Sequence, residues 1–282
     1  MPPDAAMDTP APAAATLPDG SGSRSPAWDD IPARDWQGRA IDCTACAHHV
    51  LRARSADDGG CEPGRCCMQD AYARRIDRFF RRHPTLAGAH LQHPYFEVRA
   101  IAARHVELFS LPALMDDPDE TVRLQVALRL PQRLLARMRQ DPHREVRLRV
   151  AWRLAEAELP ALLGDVDEAV RLVVARRIAP PLLAALMHDP DRQVRGEVAL
   201  RLPMPALLGL VADPAPEVRR VVAERLPAPL LDALSHDTDW TVRWTVAGRA
   251  QGALLQRLLR DDEPDVRERA AQRQDELEAS HG

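Results

Sequence analysis

Residues 117–131 read DPDETVRLQVALRLP, and the same outline returns in residues 141–155, 165–179 and 189–203. A Val-Arg pair marks each copy, and consecutive pairs are 24 residues apart. A fixed period of this length is typical of a solenoid, in which each repeat packs on its neighbours. The sequence therefore predicts a repeat array over most of the chain. The pairs are Val98-Arg99, Val122-Arg123, Val146-Arg147, Val170-Arg171, Val194-Arg195, Val218-Arg219, Val242-Arg243 and Val266-Arg267.

Each repeat carries the signals of one helix. Asp followed by Pro is typical of a helix start, because the carboxylate caps free N–H groups and proline fits the first turn. The pattern predicts a helix of about 13 residues, from Pro118 to Leu130, and then paired leucines in a short 3-10 helix. The aspartate stands six residues before the arginine, and His93 takes its place in the first copy. The aspartates are Asp117, Asp141, Asp165, Asp189, Asp213, Asp237 and Asp261.

The repeated arginine lies inside the apolar stripe of this helix. With Arg123 at zero on a helical wheel, Val126 lies at about −60° and Ala127 at about +40°. A buried guanidinium without partners costs several kcal/mol, so it must be paired. The helix-start aspartate and the carbonyls of the same or a neighbouring repeat are available, and they predict an Asp/Arg ladder between repeats. The alternative is a row of arginines that lines a groove for phosphates or acidic partners.

A second arginine recurs six residues after the first, near the edge of the apolar stripe. This row is the better candidate for a binding surface, but we interpret it as a solvated rim. Its members are Arg129, Arg153, Arg177, Arg201, Arg225, Arg249 and Arg273.

The chain divides into four regions. Residues 1–38 are rich in Pro and Ala without periodicity, which predicts a disordered tail. Residues 39–88 hold all five cysteines and end in an amphipathic helix. Residues 89–275 are the repeats, and residues 276–282 form a second predicted disordered tail.

Charge and hydropathy limit the possible functions. The net charge of −4 weighs against binding nucleic acid by bulk electrostatics. No apolar run approaches the roughly 20 residues that a bilayer requires. Asp4 and Asp8 stand where a secretion signal would carry basic residues. These features predict a cytoplasmic protein that does not enter a membrane.

The cysteines are concentrated within 25 residues, as a Cys43-x2-Cys46 pair, then Cys61, then the adjacent Cys66 and Cys67. Such a concentration in a cytoplasmic protein indicates a metal site rather than disulfides. The spacing alone leaves zinc and an iron–sulfur cluster open.

The stretch DPDETVRLQVALRLPQRLLARMRQ resembles the leucine-rich repeat variant (LRV) family. That resemblance implies an all-α, right-handed superhelical solenoid of 24-residue repeats, each an α-helix plus a short 3-10 helix, preceded by a small cysteine-rich metal-cluster domain. The repeats are also similar to HEAT repeats, which share an Asp and an Arg six apart but are longer and have two full helices. The period favours the LRV family. The likeness covers residues 91–275 and weakens at the first and last copies.

The stretch CEPGRCCMQDAYARRIDRFF resembles the four-cysteine domain of LRV proteins, which implies a [4Fe-4S] cluster, with zinc as the alternative. Adjacent side chains usually point apart, so Cys66 and Cys67 are not expected to share a cluster. We therefore predict Cys43, Cys46, Cys61 and Cys67 as ligands, with Cys66 as the alternative to Cys67. His48 and His49 are predicted to face solvent.

The closing helix permits two interpretations. Four of its residues stand at helical spacing: Tyr72, Ile76, Phe79 and Phe80. The aromatic ones are expected to pack on the cluster and the first repeat. Its arginines offer an alternative role as a docking face for an acidic redox partner. They are Arg74, Arg75, Arg78, Arg81 and Arg82.

Three classes of function remain. The sequence contains no Ser/His/Asp arrangement and no glycine-rich phosphate loop, so it does not indicate an enzyme. The preferred hypothesis is an iron–sulfur protein for electron transfer or redox sensing that docks a partner protein through its solenoid; the family resemblance suggests a link to nitrogen fixation. The alternatives are a HEAT-like nucleic-acid-binding solenoid with a structural zinc or cluster site, and an enzyme with an open cluster site.

Overall fold

The structure is a computed structural model that describes residues 31–54 and 60–280. Helices account for its regular structure, and the described residues form only isolated β-bridges and no strand. The α-helices are α1 (Ala73–Arg82), α2 (Phe96–His105), α3 (Glu120–Arg129), α4 (Gln132–Leu135), α5 (Arg144–Arg153), α6 (Glu168–Arg177), α7 (Arg192–Arg201), α8 (Pro216–Arg225), α9 (Trp240–Ala247), α10 (Gly252–Leu258) and α11 (Pro264–Ala279).

Short 3-10 helices separate most of the α-helices, as the paired leucines predicted. They span His49–Ala53, Pro84–His90, Leu108–Leu114, Ala136–Met138, Glu156–Leu162, Pro180–Leu186, Ala206–Leu210 and Ala228–Leu234. Two repeats depart from this rule, because α4 precedes the 3-10 turn in one and α10 replaces it in the other. None of the helices in the described part of the chain has the length and apolarity needed to cross a bilayer.

The repeat helices begin later than the sequence predicted. Helix α3 starts at Glu120 rather than Pro118, because Asp119 and not Asp117 caps it: the Asp119 Oδ1 accepts the N–H of Thr121 at 2.9 Å. Asp117 instead accepts the N–H of Asp119 at 2.9 Å and turns the chain into the helix. The prediction that Asp117 caps the helix is therefore wrong. Asp119 caps it, and the Asp117 carboxylate pairs with Arg99 of the preceding repeat.

The apolar stripe of each helix forms the core. Val122, Val126 and Ala127 of α3, and Leu130 and Leu135 that follow it, are each 0% exposed. Burying one such aliphatic side chain contributes about 1.5–3 kcal/mol. The buried residues form one continuous cluster from Cys61 to Ala270, so the cysteine region shares its core with the first repeat.

The predicted Asp/Arg ladder is present. The Arg123 Nε and Nη2 donate to Oδ2 and Oδ1 of Asp141, in the next repeat, at 2.8 and 3.0 Å. Its Nη1 donates to the carbonyl of Asp117, in its own repeat, at 2.8 Å. The alternative of an open arginine groove is wrong for this row, since each paired guanidinium is at most 16% exposed. The other pairs are Arg99–Asp117, Arg147–Asp165, Arg171–Asp189, Arg195–Asp213, Arg219–Asp237 and Arg243–Asp261.

The second row of arginines is not a solvated rim. The Arg129 Nη1 donates to the carbonyl of Ala103 at 2.6 Å, and Arg225 donates to the carbonyls of Ala199 and Leu202 at 2.6 and 2.7 Å. The last carbonyls of a helix have no partner within it, so the arginine of the next repeat satisfies them. The same bond joins Arg153 to Ala127, Arg177 to Ala151, Arg201 to Ala175 and Arg249 to Ala223, whereas Arg273 pairs with Glu276.

The structure also moves two predicted boundaries. The carbonyl of Arg34 accepts the N–H of Ala71 at 2.8 Å, and the Trp36 ring stacks on Tyr95, so folded structure begins before residue 39. At the other end, α11 continues to Ala279, so residues 276–279 are helical. Its length follows from a run of strong helix formers after the last core alanine. Residues 1–30 and 281–282 of the two predicted tails lie outside the described residues.

Candidate metal centre

The Cys43-x2-Cys46 pair lies on a loop held by Asp42. The Asp42 Oδ1 accepts the N–H of Thr44 at 2.8 Å and that of Ala45 at 3.4 Å, which closes a tight turn between the two cysteines. The Cys46 Sγ accepts the N–H of His48 at 3.4 Å. A backbone N–H donated to a cysteine sulfur is one of the contacts by which a protein adjusts a bound cluster.

The other three cysteines flank a second tight turn. Pro63 and Gly64 occupy its centre, and the Gly64 φ of +85° is a conformation that favours glycine. The N–H of Cys66 donates to the Glu62 carbonyl at 2.8 Å, and the return bond has the same length. The N–H of Cys61 donates to the carbonyl of Leu51 at 3.3 Å, which joins this turn to the segment that follows the first loop.

The two loops bring the thiols within electrostatic range of one another. Burial raises the pKa of the Cys61 thiol, and the neighbouring Cys46, Cys43 and Cys66 thiols raise it further. Burial likewise raises the pKa of Cys67 to about 12, opposed by a hydrogen bond from the Gln69 N–H and reinforced by Cys61 and Cys46. Thiols with raised pKa values must release protons when they bind a metal, and their shared location supplies the soft ligands that iron–sulfur clusters and zinc accept.

Cys66 and Cys67 have different neighbours, as expected for adjacent side chains. Burial raises the pKa of Cys66, while the guanidinium of Arg82, which hydrogen-bonds the thiol, and that of Arg78 oppose the rise. Both thiols interact with Cys61, but Cys67 also interacts with Cys46 on the other loop, whereas Cys66 is hydrogen-bonded by Arg82. This difference favours Cys67 as the fourth ligand beside Cys43, Cys46 and Cys61.

Thiolates are ligands that both zinc and iron–sulfur clusters accept, so the residues present fit either group. Within residues 31–54 and 60–280, no three His, Cys, Asp or Glu side chains form a group that could hold a single metal ion.

Helix α1 closes the cysteine loops, as predicted. Ile76, Phe79 and Phe80 are at most 1% exposed. The Phe79 ring lies 5.3 Å from that of His48, on the first cysteine loop, and the Phe80 ring lies 5.5 Å from that of His90, beside the first repeat. The aromatic residues therefore exclude water between the cysteine loops and the solenoid.

One of the predicted docking arginines is buried. Arg75 is 2% exposed, and its Nη1 donates to Oδ2 of Asp70 at 3.1 Å while its Nη2 donates to the carbonyl of Ile31 at 2.7 Å. These bonds connect α1 to the segment that precedes it, so Arg75 is not part of a docking surface. Arg74, Arg78, Arg81 and Arg82 are exposed.

A histidine pair adjoins the first cysteine loop. The Nε2 atoms of His48 and His90 are 2.7 Å apart. Burial lowers the pKa of His48 and, together with His48 and His93, lowers the pKa of His90 to about 4. The prediction that His48 faces solvent is wrong, because the ring packs on Phe79; His49 is exposed as predicted. His90 was missed because it stands in the first repeat, 42 residues from its partner.

The fold and the cysteine loops match known proteins. A family model described as "LRV protein FeS4 cluster" matches residues 33–89. A solved structure described as a leucine-rich repeat variant with a novel repetitive protein structural motif is 42% identical, with a TM-score of 0.76, over 83% of this chain and 98% of that one. A Rhodobacter capsulatus protein described as "Uncharacterized 27.7 kDa protein in nifB 3'region" is 46% identical over 97 residues, and the match spans only 38% of its length.

These similarities confirm the predicted fold class, an all-α, right-handed superhelical solenoid of 24-residue repeats preceded by a small cysteine-rich domain. They also confirm an iron–sulfur unit ahead of the repeats. The chain belongs to the leucine-rich repeat variant family.

Proposed function

We propose that Cys43, Cys46, Cys61 and Cys67 hold a [4Fe-4S] cluster that serves electron transfer or redox sensing, and that the solenoid docks a partner protein. A bound cluster supplies one-electron chemistry. The observation that carries the proposal is the meeting of two cysteine loops under the aromatic residues of α1. Cys61 interacts with thiols of both loops, and all five cysteines are free thiols.

The surroundings of the thiols suit a redox role. The N–H of His48 at Cys46 and the aromatic cover of Phe79 and Phe80 are the features by which a protein adjusts a cluster's potential, through hydrogen bonds to sulfur and exclusion of water. Cys43 and Cys46 are only partly buried, so one side of the thiol group lies near the surface. Electrons pass between proteins most readily where the redox centre is near solvent.

The arginines give little support to the nucleic-acid alternative. Most of the two recurring rows is engaged inside the solenoid, by carboxylates or by backbone carbonyls. A phosphate backbone would need a dense, accessible basic face, and the whole chain has a net charge of −4. A protein partner fits the solenoid better.

Two further parts of the proposal rest on context. The description of the R. capsulatus relative names a nifB region, and on that basis we propose a role connected with nitrogen fixation. We place the protein in the cytoplasm, because free thiols persist in its reducing environment.

The test is to purify the full chain without oxygen and to measure its absorption, iron and sulfide. We expect a broad band at about 400 nm that bleaches on reduction, with about four irons and four sulfides per chain. A colourless protein with stoichiometric zinc would refute the redox role. A loaded chain whose band does not respond to any reductant would leave the cluster but remove electron transfer.

A further inference from the structure

Helix α9 carries two exposed tryptophans at surface positions that vary from repeat to repeat. Relative to the ladder arginine of α9, Trp240 stands three residues before, Trp244 one after and Gly248 five after. In α5 the same positions hold Arg144, Leu148 and Trp152. Trp240 and Trp244 are 42% and 43% exposed, although neither is needed for the core. Repeat arrays bind partners through extended surfaces that such variable positions form.

The two tryptophans form the floor of a groove of about 700 Å³. Arg220 and Glu224 of α8 line one wall, and Asp265 and Glu268 of α11 line the other. This volume lies within the range of ordinary ligand sites, roughly 300–1,000 Å³. The groove is therefore large enough for one or two side chains of a bound segment.

The groove already holds one guanidinium on an indole ring. The Arg269 guanidinium carbon lies 5.7 Å from the centre of the Trp244 ring. A Cβ at Gly248 would lie 2.7 Å from the Arg269 Nε, so the glycine makes room for this contact. A guanidinium over a tryptophan face is attracted by the negative charge of the π cloud.

The face of Trp240, one turn earlier, is unfilled. Among residues 31–54 and 60–280, no cation or ring stacks on Trp240. It offers the same kind of surface as Trp244, open to solvent and next to the acidic wall. A second guanidinium would repeat the arrangement that Arg269 makes.

Two carboxylates at the groove that have no ion pair within the described part of the chain favour a cationic guest. The basic side chains are engaged: the Arg220 Nε lies 4.0 Å from Glu224, Arg249 donates to the Ala223 carbonyl at 2.6 Å, and Arg269 pairs with Glu276 at 3.0 Å. Asp265 and Glu268 are exposed and form no ion pair with any described residue. The lining carries three arginines and three acidic residues, and the carboxylates of Asp265 and Glu268 are the ones available to pair with a cationic guest.

We propose that this groove binds an arginine side chain of a partner protein, with the guanidinium stacked on Trp240 and paired with Asp265 or Glu268. The proposal deepens the docking part of the proposed function and rests on it, but it does not depend on the cluster. An acidic or an uncharged apolar segment would be a different partner, and both are outcomes of the test.

The test uses the full chain and three short synthetic peptides that differ only at two positions, occupied by arginine, citrulline or glutamate. Citrulline has the shape of arginine without its charge. Binding is measured by calorimetry at low salt. We expect the arginine peptide to bind at least about tenfold more tightly than the citrulline peptide, and the glutamate peptide not to bind. Equal binding of arginine and citrulline, preference for glutamate, or no binding of any peptide would overturn the proposal.

Variants locate the site. Trp240→Ala should weaken binding of the arginine peptide about 5- to 30-fold, and Asp265→Asn with Glu268→Gln should weaken it further. Trp152→Ala is the matched control, because Trp152 is 45% exposed on α5 and lies outside the groove. A loss of affinity in the control equal to that in Trp240→Ala would refute the assignment. The visible absorption of the same samples reports the cluster separately, so failure of the groove and failure of the redox proposal are distinguishable.

Discussion

Arginine performs two structural roles in each repeat because its guanidinium has more donors than one acceptor needs. Arg171 directs two donors at the carboxylate of Asp189 and a third at the carbonyl of Asp165, at 2.7–2.9 Å. The hydrogen bond with Asp189 is the largest cause of its raised pKa. Lysine has three donors on a point charge and cannot make this planar arrangement. The ladder therefore requires arginine rather than positive charge alone.

Removing one ladder arginine should strongly destabilise the solenoid. In Arg171→Met the Asp189 side chain, which is 2% exposed, remains buried without its partner, at a cost of about 3 kcal/mol. Arg171→Lys should recover only part of this loss. Arg176→Met is the control, because Arg176 is 47% exposed and its pair with Glu197 contributes less than about 1 kcal/mol. Thermal melts followed by circular dichroism compare them, and equal losses in the two Met variants would contradict the ladder's importance.

The two adjacent cysteines provide a direct test of the ligand set. Cys67→Ser should lower bound iron to well below four per chain, because the thiol faces Cys61 and Cys46. Cys66→Ser should keep about four irons, because that thiol faces Arg82. Iron and sulfide analysis of the two anaerobically purified variants decides between them. The reverse result would make Cys66 the ligand.

The buried histidine pair predicts acid sensitivity at the cysteine end of the molecule. The pKa of His90 is lowered to about 4, so between pH 6.5 and 4 the unfolded chain binds a proton that the folded chain does not. The contribution of a neutral His90 to the free energy of unfolding is therefore fully present above pH 6.5, and it is lost as the pH falls towards 4. The charged and titratable groups near this ring are His48, His93 and, beside His93, Arg99.

Melting temperatures measured from pH 7.5 to 4.5 test this expectation. His90→Gln should flatten the decline between pH 6.5 and 4.5, whereas His236→Gln, at an exposed position in the solenoid, should leave it unchanged. If the melting temperatures of both variants fall with pH as that of the parent chain does, the His48–His90 pair does not cause the acid sensitivity.

At the scale of the element, α1 joins two functions. One face carries the aromatic residues that cover the cysteine loops, and Arg74, Arg78 and Arg82, four residues apart, share another face. Residues 31–88 contain ten arginines against seven acidic residues, although the whole chain has a net charge of −4. The cysteine end is therefore basic, and Arg82 touches the Cys66 thiol.

If the cluster exchanges electrons through this face, the oxidation rates with small charged oxidants should reveal the charge of the face. Oxidation of the reduced protein by hexacyanoferrate(III), an anion, should slow several-fold as salt rises, and oxidation by hexaamminecobalt(III), a cation, should quicken. Stopped-flow measurement of the visible band gives both rates.

Variants on two helices locate the effect. Arg74→Glu with Arg78→Glu should weaken or reverse the two salt dependences. Arg133→Glu with Arg137→Glu, two exposed positions in the solenoid, should leave them as they are. Salt dependences of equal sign for both ions would show that this face is not where electrons pass.

At the scale of the whole molecule, the solenoid behaves as a one-dimensional stack. Each ladder pair joins residues 18 apart, and the second-row arginines other than Arg273 donate to the alanine carbonyl 26 residues before them. Some second-row arginines also donate to a carbonyl 23 residues away, as Arg225 does to Leu202. All of these bonds connect only adjacent repeats, so stability is a sum of repeat and neighbour terms. Such an array should tolerate the loss of a whole repeat but not of a part of one.

Deletion of residues 165–188, one full period, should give a folded chain. Arg147, which pairs with Asp165, would meet Asp189 in the same register, and Arg201 would find the Ala151 carbonyl in place of Ala175. We expect unchanged helicity per residue, a retained visible band and a melting temperature lower by a few degrees. Deletion of residues 165–176, half a period, should abolish the cooperative melt. Two deletions of equal effect would show that register does not matter.

Much of this protein follows from its sequence. The 24-residue period, the buried face of each helix and the need for partners at the recurring arginine are all local, because helical geometry maps residue spacing onto direction. The concentration of cysteines predicted a metal site, and the resemblance of residues 61–80 to a known domain favoured an iron–sulfur cluster over zinc. The helix starts were predicted too early because Asp117 and Asp119 are both aspartates, and only their partners distinguish a ladder acid from a cap.

Only the tertiary structure decided which groups meet across repeats. The second arginine row looked solvated because its acceptors are backbone carbonyls, which are identical at every position and leave no trace in the sequence. The directions of the Cys66 and Cys67 thiols and the pairing of His48 with His90 depend on how segments far apart in the chain pack. Residue types and spacing determine what a helix must bury, but contacts between repeats determine what each buried or exposed group touches.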